Sequence, residues 1–132
     1  MLEEKARENL EAATRLAGDE SGDNDYLPNA AASRAYYAAY LAVAHRAQAR
    51  GRGFTAEATD YYRHDRLPED AWRWGILDED GREVLEWLRN MRIKADYHED
   101  NVDFDEASEA IEQAAVLLER LLAEAPRDGG LS

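Results

Sequence analysis

Between Ala30 and Ala44 the chain reads AAASRAYYAAYLAVA, broken only by Ser33 and Arg34. A helix that is apolar nearly all round must run through the middle of a bundle, with neighbours on several sides. Its alanines let those neighbours approach closely. Tyr36, Tyr37 and Tyr40 fill volume and need partners for their hydroxyls. The stretch is too short to span a bilayer and carries Arg34, so no membrane segment is expected. Pro28 suits the first helical turn, where its missing N–H would be unpaired anyway, and the helix is predicted to reach about Arg50.

The remaining elements follow from spacing and breakers. A first helix is predicted over about Leu2 to Ala17, with Leu2, Ala6, Leu10, Ala13 and Ala17 on one face. The acidic GDESGDND run, residues 18–25, ends it. After the RGRGF break, residues 54–78 are hard to read: one short helix after Thr55, another from Pro68 to Trp74. A fourth helix is predicted from near Asp80 to Tyr97, burying Val84, Leu88, Met91 and Ala95. Asp103 and Glu106 have the spacing of a capping box, in which a carboxylate accepts from free N–H groups. The helix they open buries Ala107, Ile111, Ala114, Leu118, Leu121 and Leu122 and is expected to end before Pro126. No strand pattern competes. The predicted fold is all-α: an antiparallel four-helix bundle plus a short extra helix, one domain over residues 1–125, with 126–132 a disordered tail.

At 132 residues the chain can bury one core. It has no cysteine, which excludes a disulfide framework and thiolate zinc and fits a reducing cytoplasm. The charged N-terminus lacks a secretory apolar region, so a soluble, cytoplasmic protein is expected. The net charge of −13 argues against indiscriminate nucleic-acid binding, and no DNA partner is expected. That charge is uneven. Residues 34–94 carry eleven Lys and Arg against ten Asp and Glu, so an anionic substrate is best tolerated there. His45, His64 and His98 are scattered, and no HExxH or DxD-type run appears, so no metal is expected. The chain also has no P-loop, GxSxG or dinucleotide turn, and no cofactor is expected.

The chemistry concentrates in LRNMRIKADYH, residues 88–98. Arg89, Arg92 and Asp96 share a stripe beside the buried one, and Arg92 can pair with Asp96 four positions on. His98 follows at the helix end, where periodicity does not fix its distance from Arg92. One reading is packing: Arg34 and Asp96 form a buried pair that sets helix register, Tyr97 covers it, and His98 favours the helix C-terminus. The other is chemistry. An Arg fork holds a phosphate and its growing charge, and a near-neutral His moves protons. RNA carries its own nucleophile, the 2′-hydroxyl, so such a pair can cleave it without a metal.

Two stretches together resemble the HEPN family of small helical-bundle proteins. SRAYYAAYLAV, residues 33–43, is similar to that family's second helix. LEWLRNMRIKADYH, residues 85–98, is similar to the helix carrying its R-x4-6-H motif, in the subgroup reading R-x-x-A-D-Y. DFDEASEAIEQAAVLLERLL resembles the closing helix. The resemblance implies a homodimer whose motif helices face a shared cleft. It also implies a metal-independent endoribonuclease, often a toxin neutralised by a nucleotidyltransferase-like antitoxin. Matched residue by residue, Arg92 and His98 become the catalytic pair, with Asp96, Tyr97, Ser33, Arg34 and Tyr37 supporting. Ile93 stands where active members usually place a polar residue, and the family's H-x-Y ending is missing. The alternatives are a non-catalytic dimer acting as a protein- or nucleotide-binding module, and a plain helical scaffold.

Other residues have two readings each. Trp72, Trp74 and Trp87 either close the bundle's ends or anchor an interface. His64 is by default a surface histidine, or else an RNA or partner contact. The basic run HRAQARGR, residues 45–52, is a solvated helix end or a guide for phosphates.

Overall fold

Small side chains decide how the helices meet. The computed structural model describes residues 2–17, 27–52, 62–97 and 102–131, and among them every element is helical. These are α1 (Leu2–Ala17), α2 (Pro28–Ala49), α3 (Leu67–Arg73), α4 (Glu79–Tyr97) and α5 (Phe104–Leu131). Ala31, Ala32, Ala35, Ala38, Ala39, Ala42 and Ala47 of α2 are all inaccessible to solvent. Because residues on every side of α2 are covered, it packs against α1, α4 and α5 together. The central placement read from its sequence is what the structure has.

Polar contacts give the helix directions. Leu27 N–H, at the entry to α2, donates to the Leu16 carbonyl at 2.7 Å. Further along α2, Arg34 donates to Asn9 Oδ1 at 3.2 Å, and His45 lies 3.8 Å from Glu3. Later residues of α2 thus meet earlier residues of α1, and the pair is antiparallel. Likewise Ser33 meets Asp96 near the end of α4, while Arg50 reaches Gly75 just before α4 begins. Lys94 of α4 pairs with Glu106 of α5 at 2.9 Å. The four long helices therefore alternate in direction, with α3 a short element packed on α4.

The α5 entry is built as its spacing predicts. Glu106 N–H donates to Asp103 Oδ1 at 2.7 Å, and Asp103 N–H donates back to Glu106 Oε1 at 3.1 Å. Two otherwise unpaired backbone donors are satisfied reciprocally. Val102 N–H donates to Asn29 Oδ1 at 2.8 Å, tying this entry to the start of α2. Gly75, at φ 77, makes the turn between α3 and α4, a conformation open to a residue without Cβ.

Some expectations need correction. In α4 the buried apolar side chains are Leu85 and Leu88; Val84, Met91 and Ala95 are only partly covered. α4 touches α2, α3 and α5, so more than one stripe of it is covered. In α5, Ala110 and Leu117 join the buried set, and Ile111 is partly exposed. The helix does not end before Pro126 but continues to Leu131. A proline removes one backbone donor and strains one turn, which kinks a helix more readily than it ends one near the surface. The short helix expected after Thr55 lies outside the described residues. No described helix is long and apolar enough to cross a membrane.

Trp74 and Trp87 pack against the core, as end-closing residues would. Trp72 stays 41% exposed beneath the Arg82 guanidinium, 4.6 Å from its ring. The basic run at the end of α2 is used internally. Arg46 is buried, Arg50 donates to the Gly75 carbonyl at 3.2 Å, and Arg52 lies over Trp74.

Candidate functional site

Where α2 and α4 cross, the four-residue spacing of a helix turn places Asp96 and Arg92 on the same stripe. Arg92 Nε donates to Asp96 Oδ2 at 3.1 Å. The same carboxylate accepts from Ser33 Oγ of α2, at 3.1 and 3.2 Å to its two oxygens. Asp96 therefore does two things: it orients the guanidinium along its own helix and clamps α4 to α2. The Arg92 side chain keeps 19% of its exposure and that of Asp96 32%, so the pair sits in a half-open surface recess.

The partner of Asp96 on α2 is Ser33 and not Arg34. Arg34 points the other way, to Asn9 of α1. The buried Arg34–Asp96 pair expected from the sequence is thereby corrected. Successive residues on a helix differ by about 100°, so adjacent positions cannot both face α4. Tyr97 ends α4, and His98 lies outside the described residues.

Aromatic rings form the floor of the recess. The Arg92 guanidinium carbon lies 5.4 Å from the Tyr37 ring centre and 5.9 Å from that of Tyr36, within the range where a ring face attracts a cation. Tyr36 is buried, and burial pushes its phenol well above the ordinary range, so it stays protonated. Tyr37 is partly exposed. Beside them, on the turn before α3, stands His64. Its Nδ1 shares a 2.5 Å hydrogen bond with Tyr36 Oη, and its ring stacks on Tyr40 with centres 4.2 Å apart. Tyr40 in turn donates to the Tyr62 carbonyl at 2.6 Å, and the Tyr62 hydroxyl donates to the Arg52 carbonyl. Tyr36 and Tyr40 of α2 thus find the hydroxyl partners they need, and this ladder holds the His64 turn against α2.

Charge in the recess is cationic. Burial and then the Arg92 and Arg89 charges hold His64 below its ordinary pKa of 6.5, with Asp65 acting weakly the other way. Arg89 Nε is buried and donates to no partner among the described residues. His64 is the site residue that sequence reasoning placed elsewhere, as a default surface histidine. It is 28 positions from Tyr36 and sits in a turn with no periodicity to reveal which helix it touches.

Among the described residues no group of three or more His, Cys, Asp and Glu side chains gathers as a metal site would require. Two grooves lie away from Arg92, one between α1 and α5 beside Leu10 and Leu118, another between α4 and α5 beside Val84 and Trp87. Neither brings together a cation, an imidazole and a buried hydroxyl, so the α2–α4 recess is the better chemical candidate.

A central alanine-rich helix with an arginine-bearing motif helix laid against it defines a small helical-bundle class whose polar recess lies at the crossing of the two. The HEPN domain model matches residues 1–124, and the chain belongs to that family. No curated protein matches the sequence.

Proposed function

We propose that this chain is a metal-independent endoribonuclease, the toxin half of a pair with a nucleotidyltransferase-like antitoxin, acting as a homodimer. The observation that supports it best is the setting of Arg92. A carboxylate orients its guanidinium, two aromatic rings back it, and α4 carries it toward the partly open recess. Arg92 binds the scissile phosphate and steadies the pentavalent state, where charge on the equatorial oxygens grows. His98, five intervening residues along, moves a proton at the 2′-oxygen or the leaving 5′-oxygen. Asp96 orients Arg92 and does not act as base. Ser33 and Tyr37 shape the recess.

A second reading has the same fold as a non-catalytic dimer that binds a protein or nucleotide. The Ser33–Asp96–Arg92 chain favours it, since that contact also has a purely helix-locking use. Purified protein incubated with RNA in EDTA separates the two. The nuclease reading expects cleavage that Arg92→Ala and His98→Ala each reduce by about 100-fold or more. Cleavage that survives either change, or that needs added metal, rules it out.

A further inference from the structure

We propose that Arg89 is a second phosphate-binding residue of the recess, holding the phosphodiester next to the scissile one when a single strand of RNA lies along α4. The inference rests on the ribonuclease reading above, which puts the scissile phosphate at Arg92. It assigns to the same site a cation outside the Arg92–Asp96 pair.

Placement comes first. Arg89 and Arg92 are three positions apart on α4, so they rise from one face with Cβ atoms about 5–6 Å apart. Burial lifts the Tyr36 phenol, and the Arg92 and Arg89 charges both oppose that lift. Burial and then the same two charges lower His64, so both cations border one patch of α2 and its neighbouring turn. They differ in what else they reach. Arg92 donates to Asp96, near the end of α4. Asp65, on the turn before α3, is lowered by its Arg63 hydrogen bond and more weakly by the Arg89 charge. The two guanidinia thus stand in line, Arg92 at the Ser33 end of the recess and Arg89 toward the His64 turn. A single strand presents its phosphates in a line as well.

The setting of Arg89 costs the fold something. Its Nε is buried and donates to no partner among the described residues. Arg92 is met by Asp96, Arg63 by Asp65 and Lys94 by Glu106, but among the described residues no carboxylate meets Arg89. A covered N–H without an acceptor, on a cation one turn from a second cation, is destabilising. A residue kept only for packing would serve better as an apolar side chain of similar length. The cost is explained when the terminal nitrogens of the guanidinium bind an anion that the folded chain does not itself supply. A phosphodiester fits that fork, since its two unesterified oxygens share one negative charge.

The test uses the full chain in EDTA and a fluorescent single strand whose riboses are all 2′-O-methylated, so that it binds and is not cut. Anisotropy gives its affinity across a range of salt for wild type, Arg89→Met, Arg89→Lys and Arg120→Gln, the last at an exposed arginine of α5. Cleavage of the all-ribose strand is read separately. Arg89→Met is expected to weaken binding about 5-fold or more and to lower the slope of log affinity against log salt by about 0.7, the share of one phosphate on a single strand. Arg89→Lys should keep the wild-type slope, and Arg120→Gln should change neither quantity. In urea, Arg89→Met should unfold at or above the wild-type midpoint, because it removes a covered donor and keeps the stem. A lowered midpoint with an unchanged salt slope would mark a packing residue and overturn the inference. If wild type still cuts the all-ribose strand in that case, the ribonuclease stands. A slope lost at Arg89 in a chain that cuts no RNA upholds the phosphate site and overturns the nuclease. A wild-type protein that binds neither strand overturns both.

Discussion

Asp96 is asked to satisfy a cation on its own helix and a hydroxyl on another, and the two demands can be separated by substitution. Ser33→Ala removes only the cross-helix bond and is expected to lower stability by about 1 kcal/mol, read by urea unfolding, with RNA cleavage largely kept. Asp96→Ala also releases Arg92 and is expected to lower cleavage well beyond its stability loss. Equal effects of the two would show that orientation of Arg92 does not matter. His64 makes a separate prediction about pH. Its folded pKa is lowered, so the unfolded chain binds a proton that the folded chain resists. The stability it contributes is complete above its ordinary value of 6.5 and falls as pH drops from there toward the folded pKa. Asp65 and Glu106 are also lowered, by the Arg63 and Lys94 hydrogen bonds, but from 3.8 and 4.5, so their contributions go only at lower pH. Unfolding midpoints between pH 5 and 7 should therefore decline toward acid in wild type and flatten in His64→Asn.

Helix by helix, what could be read in advance depended on whether the pattern was local. Asp103 and Glu106 announce a helix start because both partners lie within one turn, and the structure has both bonds. Asp103→Ala should cost about 1 kcal/mol of stability, with loss of the α5 entry seen in amide exchange at residues 104–107. The limits of α1 are likewise those predicted, since its apolar face is one-sided and its breakers are close. The choice between Ser33 and Arg34 was not readable. A helix apolar all round carries no record of its own rotation, and the neighbour that takes Asp96 is settled only when α4 docks. The burial of Leu85 in place of Val84 has the same origin. His64 was hidden for a different reason: what fixes it is a ladder of tyrosine hydroxyls across distant sequence, and neither period nor composition signals such a contact.

The homodimer proposed above requires two copies of the chain to meet across the motif helix, α4. Sedimentation over a range of concentrations should give a mass near twice 14.9 kDa, and a concentration-independent monomer would remove the shared cleft. The acidic ends of the sequence fit this arrangement. Nineteen of the 29 Asp and Glu lie outside residues 34–94, a middle segment that is itself close to neutral. On the proposed ribonuclease reading, RNA is expected to be repelled by the acidic segments and tolerated near Arg89 and Arg92.

The tyrosines of α2 belong to two places at once. Tyr36 and Tyr40 are interior residues by burial, yet one touches His64 and lies beneath Arg92 while the other stacks on the imidazole. Evolution of such a protein is constrained accordingly. A methyl group gained or lost among the alanines behind those rings would tilt the rings under Arg92, so on the proposed ribonuclease reading interior variation that most small bundles accumulate silently would register as altered cleavage.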